Sequence, residues 1–156
     1  MMGIRDRDIG SLIKTKHAFI NTAVTANGGG DGAEVDGDSI DRQALGSMME
    51  SVDVVIHGNT TLESGETLTI ALNLQDSADD STFADFGTAV AATTVKDAAG
   101  GGLTAVGFEL ESSFDIRGAE RYIRVQMTPD LSWTGTDTAL IEGVIVFGGA
   151  ATQPAA

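Results

Sequence analysis

Alternation of apolar and polar residues is the feature that most limits what this 156-residue chain can fold into. The clearest case is Thr67–Gln75, where leucine or isoleucine alternates with threonine, asparagine or glutamine at every position except Ala71. The same pattern recurs in Val52–Ile56, Val106–Glu111 and Ile123–Met127. Because successive side chains of a β-strand point to opposite faces, a period of two predicts strands that bury one face.

Other segments predict strands less directly. Thr138–Phe147 is apolar at nearly every position, which predicts a central strand covered on both faces. Helical periodicity is scarce, and only Ile40–Met49, with Ser39 as a possible cap, predicts a short helical turn. The weaker strand candidates are His17–Val24, Thr82–Phe86 and Ala89–Val95.

Turn-forming residues separate these segments. Asn27–Gly32 and Asp97–Gly102 are glycine-rich, and the chain holds 20 glycines and no cysteine. About eight strands at regular spacing predict an all-β, antiparallel sandwich or barrel in a single domain. We expect an extended N-terminal arm over residues 1–20, the β-domain over residues 21–150 and a C-terminal tail over residues 151–156.

The charge of the chain excludes some partners. A formal net charge of −14 disfavours binding to nucleic acids and to anionic membranes. Residues 1–20 nevertheless carry +2, so the remainder carries −16, which supports a distinct arm. The start lacks a secretory signal, and no apolar run approaches the ~18 residues of a membrane span, so we expect a soluble protein made in the cytoplasm.

Residues that commonly carry catalysis are sparse. The chain has two histidines, His17 and His57, each in or beside a strand-like segment, and both are expected to be ordinary structural or surface residues. The glycine runs at 28–30 and 100–102 lack the Lys-Ser/Thr of a phosphate-binding loop. The sequence therefore predicts no catalytic residues and no cofactor.

Two acidic clusters are the best metal candidates. Counted from Asp36 as the start of an EF-hand loop, position 6 is Asp41 instead of glycine and position 12 is Ser47 instead of glutamate, so Asp36–Asp41 does not fit that loop. A second cluster could hold a hard cation, but a solvated hairpin end is favoured, and we predict no metal site. Its members are Asp76, Asp79, Asp80 and Asp85.

Two longer segments resemble a known family. They are Gly65–Phe86, and Arg121–Pro129 leading to the closing apolar strand and Gly148–Ala150. Together they resemble structural proteins of tailed phages, in particular the jelly-roll cement protein of Bordetella phage, over roughly residues 33–150. The resemblance implies a jelly roll on the outer capsid surface that forms dimers or trimers and clamps neighbouring capsomers, with no catalytic residues to transfer.

These expectations give one main function and its partners. The chain is predicted to be a capsid cement (decoration) protein of the virion that binds the major capsid protein and itself, as a homodimer or homotrimer. Its mildly basic arm would lie along a neighbour, so the predicted capsid contacts fall within it. They are Arg5, Arg7 and Lys14 as charged contacts, with Leu12 and Ile13 as apolar anchors.

Two other functions stay open at this point. The chain could be a tail or head-fibre β-module that binds host-surface glycans through loops near Trp133 and the Asp76–Asp85 turn, with Tyr122 as a further stacking surface. A jelly-roll hydrolase is disfavoured by the scarcity of histidine and the absence of a converging acid–base set.

Overall fold

The computed structural model describes residues 9–132 and 135–150, and the structural statements below concern these residues. They form ten β-strands and two short 3-10 turns, Ile9–Ser11 and Arg42–Leu45. The strands are β1 (Lys14–Thr25), β2 (Val35–Asp36), β3 (Ile40–Asp41), β4 (Ser51–Leu62), β5 (Thr67–Ser77), β6 (Ala84–Asp85), β7 (Val90–Asp97), β8 (Leu103–Asp115), β9 (Tyr122–Leu131) and β10 (Thr138–Gly148).

Two antiparallel sheets pack face to face. The four-stranded sheet has the order β1-β10-β4-β8. In the six-stranded sheet β9 and β5 are central neighbours, flanked by β2 and β3 on the β9 side and by β6 and β7 on the β5 side. The predicted all-β, jelly-roll-like antiparallel sandwich is confirmed. The number of strands exceeds the expected eight because β2 and β3 have two residues each, too few to show a period. The weaker candidate Thr82–Phe86 contains the short strand β6, and Ala89–Val95 overlaps β7.

The core lies between the sheets and is made by the inward positions of the alternating segments. Burying one leucine or isoleucine side chain contributes roughly 1.5–3 kcal/mol, so this layer dominates the stability. Among the largest fully buried side chains are Ile56, Leu68, Ile70, Leu72, Leu74, Ile123, Met127, Ile141 and Phe147.

Strand β10 departs from its prediction. It is central, as expected, between β1 and β4. Its burial nevertheless alternates, since Ile141 and Ile145 are fully buried while Leu140 is 37% exposed and Val144 is half-buried. The prediction that both faces are covered is wrong, because the six-stranded sheet packs on the inner face alone.

The predicted arm overlaps the sandwich. Strand β1 begins at Lys14, which lies opposite Phe147 of β10, so the boundary expected at residue 20 falls inside a strand. The weaker strand candidate His17–Val24 is confirmed as part of β1. The remaining arm residues 1–8 and the predicted tail 151–156 lie outside the described residues.

A short segment joins the two sheets beside β1. The amide of Gly37 donates to the Val125 carbonyl of β9 at 2.8 Å, and the amide of Asp38 donates to the Ala18 carbonyl of β1 at 2.9 Å. A Cβ at residue 37 would lie 2.6 Å from the oxygen of Val125 and 2.7 Å from that of Ala18. Only glycine therefore allows this close approach.

The predicted helical turn exists in a shorter form. Its N-cap is Asp41, not Ser39, because the Asp41 carboxylate accepts the amide of Gln43 at 2.9 Å. The turn stops at Gly46, whose φ of 83° is left-handed. The sequence predicts that Leu45, Met48 and Met49 cluster on one side of this turn; Leu45 and Met49 are buried, whereas Met48 is 53% exposed.

Arg42 in this turn is buried, with 4% of its surface exposed. Its guanidinium donates to the carbonyls of Met49 at 3.1 Å, Ile116 at 3.0 Å and Glu120 at 3.0 Å, and also to that of Ala119. One side chain thus connects the turn after β3 to the loop between β8 and β9. Burial lowers the pKa of Arg42, and the nearby charge of Asp76 opposes that shift.

We expect Arg42→Met to destabilise the protein by about 3 kcal/mol, because several buried carbonyls would lose their donor. Urea denaturation followed by circular dichroism measures this as a lower midpoint. The control is Arg117→Met, since Arg117 is an exposed arginine whose ion pair with Asp115 is also exposed, and its midpoint should stay at the wild-type value. Equal midpoints for Arg42→Met and wild type would contradict the structural role.

Candidate functional site

The residues predicted to contact a capsid fall in two groups. Arg5 and Arg7 lie outside the described residues. Leu12 and Ile13 are half-buried just before β1, and Lys14 is the first residue of that strand. The structure describes these three as a continuous segment at the edge of the four-stranded sheet.

The two histidines are brought together on the outer face of the four-stranded sheet. His17 of β1 lies opposite Val144 of β10, and His57 of β4 lies opposite Glu142 of β10. With Ile20 they line a shallow depression with a cavity volume of about 140 Å³. Forty residues separate the histidines in sequence, so only strand register could have shown that they share a site.

Acidic side chains occupy the β4–β8 half of the same face. Glu109 lies opposite His57, and Glu111 lies opposite Val55, diagonal to Asp53. A hydrogen bond and charge repulsion from Asp53 raise the pKa of Glu111, with smaller contributions from desolvation and from the charge of Glu109. These carboxylates are crowded.

The arginine ion pairs of the described chain lie elsewhere. Arg117 pairs with Asp115, Arg121 with Asp41 and Arg124 with Asp36. Within residues 9–132 and 135–150, no lysine or arginine forms an ion pair with the carboxylates described above. They are Asp53, Glu109, Glu111 and Glu142.

The outer face of the six-stranded sheet differs in chemistry. Gln75 of β5 accepts a hydrogen bond from Arg124 of β9 at 2.8 Å and donates to Asp85 at 2.9 Å. Asp36 accepts from Gln126 at 2.8 Å and pairs with Arg124 at 2.9 Å. Polar groups on this face therefore satisfy one another, whereas the other face leaves its carboxylates without cations.

The carboxylates of the second acidic cluster organise backbone instead of converging on one point. Asp79 accepts the amides of Ser81 and Thr82, each at 3.0 Å, and the hydroxyl of Ser77 at 3.0 Å. Asp76 accepts the amide of Glu120 at 2.8 Å. The described residues contain no group of three or more histidine, aspartate or glutamate side chains arranged to hold a metal ion.

The residues proposed for glycan stacking are only partly described. Trp133 lies outside the described residues, and Tyr122 is half-buried at the start of β9 with the Arg121 guanidinium 4.9 Å from its ring centre. Among the described residues, none of the helical segments has the length and apolar character needed to span a bilayer.

Comparison with known proteins gives structural neighbours alone. No protein-family model matches the chain, and no curated protein matches it. VP2 of infectious bursal disease virus, solved as a subviral particle, matches 92% of this chain at 14% identity and a TM-score of 0.46. The PBSX exported protein XepA matches 89% of it at 14% identity and a TM-score of 0.47.

The chain spans about a third of these two proteins, 34% of VP2 and 38% of XepA. A Bacillus endospore appendage protein, from a family of disulfide-linked pili, matches 88% of both chains at 11% identity and a TM-score of 0.33. The specific resemblance to the Bordetella phage cement protein stays a sequence-based hypothesis.

We expect Asp79→Ala to destabilise the protein at neutral pH and to flatten its acid denaturation. Hydrogen bonds from Thr82 and Ser81 lower the pKa of Asp79, so its contribution is complete above the usual aspartate pKa and is lost as the pH falls below it. Thermal unfolding followed by circular dichroism from pH 7 to pH 2 measures both effects.

The matched variant is Asp79→Asn, which keeps an acceptor oxygen for the turn and removes the charge. It should lose less stability than Asp79→Ala at neutral pH, and its unfolding temperature should show the same weaker dependence on pH in acid. If the unfolding temperature of both variants fell with pH as steeply as that of wild type, Asp79 would contribute no pH-dependent stability.

Proposed function

We propose that this protein is a structural component of a phage particle that binds the outer surface of the capsid and cements neighbouring capsomers. One observation carries the proposal. The two segments that resemble phage structural proteins, Gly65–Phe86 and Arg121–Pro129, come together as β5 and β9, which pair over ten residues from Leu68–Leu131 to Ser77–Tyr122. The resemblance therefore follows one contiguous structural unit, the centre of the six-stranded sheet.

A mechanical role suits this architecture. DNA packed inside a capsid pushes capsomers apart at their seams, and a protein that bridges a seam adds interface that must be broken. An interface of about 1,200–2,000 Å² is enough for specific binding, and many copies on one lattice supply avidity. An acidic sandwich outside the shell is also repelled by the packaged nucleic acid.

The proposal includes the absence of an enzymatic activity. The two histidines lie in a shallow depression, and neither imidazole makes a hydrogen bond within the described parts of the chain. A nucleophile–base–orienter arrangement is built on such bonds, so their absence at both imidazoles supports a non-enzymatic role.

Purified particles of the phage that encodes this chain should contain it in hundreds of copies, measured by quantitative mass spectrometry against the major capsid protein. Heads that lack it should release DNA at a lower temperature than wild-type heads, and added protein should restore the wild-type temperature. A protein absent from mature particles would contradict the proposal, and binding to a glycan array instead would favour the tail-fibre function.

The N-terminal segment can be tested separately because the structure gives its limit. Deleting residues 1–13 leaves β1 whole, since the strand begins at Lys14. The shortened protein should fold as wild type does by circular dichroism and should occupy heads at a level at least about tenfold lower, because Arg5, Arg7, Leu12 and Ile13 are removed. A deletion mutant with wild-type occupancy would show that the arm makes no capsid contact.

A further inference from the structure

The outer face of the four-stranded sheet, here called the open face, carries an apolar strip that crosses its strands. Val55 of β4 lies directly opposite Val144 of β10, with Val146 two residues farther along β10. Leu140 and Ile20 extend the strip, and they are 37% and 57% exposed. Antiparallel sheets with one face in water normally carry polar residues on that face, so a strip of this kind indicates a covered surface.

The two outer faces of the sandwich act as an internal comparison. On the six-stranded sheet, outward positions of β5 and β9 hold threonine, asparagine, glutamine and arginine, joined by hydrogen bonds and ion pairs. On the open face, outward positions of β10 hold Leu140, Val144 and Val146, interrupted by Glu142. The same chain thus builds one face whose polar groups pair with one another, and a second face that combines an apolar strip with carboxylates that have no cationic partner among the described residues.

Charge identifies the kind of partner. The strip is bordered by carboxylates for which the described residues supply no lysine or arginine ion pair, namely Asp53, Glu109 and Glu111 beside it and Glu142 within it. A second copy placed on this face would bring like charges together. A surface with lysines or arginines around an apolar centre would instead neutralise them.

The open face is large enough for a specific protein–protein interface. Eleven paired residues of β4 and β10 give a length of about 37 Å, and four strands give a width of about 19 Å. The resulting area of about 700 Å² is close to the ~800 Å² per partner of a standard specific interface.

We propose that the open face is the surface through which this protein docks on the capsid, against a site on the major capsid protein that presents an apolar strip bordered by basic residues. This inference rests on the proposed function and adds the docking surface and the chemistry of the partner. Basic residues of the partner would neutralise the crowded carboxylates on binding, which accounts for acidic groups that have no cationic partner within the described sandwich.

Two isosteric variants test the two components of the face. Val55→Thr with Val144→Thr removes apolar character, and Glu109→Gln with Glu111→Gln removes charge. Each pair should weaken binding to purified heads that lack the protein by at least about tenfold in Kd, measured by co-sedimentation over a concentration series.

Stability separates docking from a structural effect. The glutamine pair should melt at the same temperature as wild type or higher, because it relieves repulsion on the face, while its affinity for heads falls. The control is Thr128→Val with Asp130→Asn on β9 of the opposite sheet, which should bind with wild-type affinity. This combination of lower affinity without lower stability is not expected from misfolding.

The possible results separate the docking surface from the cement function. If the wild-type protein and both open-face variants bind heads with the same affinity, the open face is not the docking surface, and the cement function is unaffected. Failure of the wild-type protein to bind heads overturns both. A wild-type dimer that both variants turn into monomers, with head binding unchanged, overturns the assignment of the partner and identifies a second copy as the occupant.

Discussion

The pairing of β4 with β10 is the constraint on which the rest of the structure depends. The two strands pair over eleven residues without a shift in register. Because side chains alternate along a strand, moving either strand by one residue would exchange its inner and outer faces. This pairing therefore decides at once that Ile56, Ile141 and Ile145 enter the core and that Val55 and Val144 face outward.

This register requires a glycine in β4. At residue 58 of β4, a Cβ atom would lie 2.0 Å from the carbonyl oxygen of Leu140 and 3.0 Å from the ring of Phe108. The backbones of β4 and β10 can approach here only because that atom is missing. Gly143 of β10 has a similar role, since a Cβ there would lie 2.8 Å from Ile56 and 2.9 Å from Phe19 in the core.

The sequence predicts the long strands well because their periodicity is a local property. Thr67–Gln75 and Ile123–Met127 bury the residues that the alternation selects. Thr138–Phe147 shows the limit, since an apolar outer face in a sequence cannot be distinguished from a face covered by the chain itself. Arg42 could not be foreseen as buried, because three of its four carbonyl partners come from a loop more than seventy residues away.

The candidate sites show the same contrast between local features, which the sequence predicts, and contacts between distant residues, which it does not. Neither histidine carries a local signal of its role, and the crowding of Glu111 with Asp53 depends on a strand pairing between residues nearly sixty apart. The acidic turn, in contrast, is the hairpin end that the sequence favours, because Asp79 acts on residues within three positions of itself.

The position of the strand ends affects how the sandwich responds to force. Lys14 at the start of β1 lies opposite Phe147 near the end of β10, so the chain enters and leaves the four-stranded sheet at one corner. Tension applied between those two points would open β1 from β10 like a zipper, one hydrogen-bonded pair after another. Tension spread over a sheet surface would instead load many pairs at once, so the fold resists a pull on its broad sides far better than a pull on its ends.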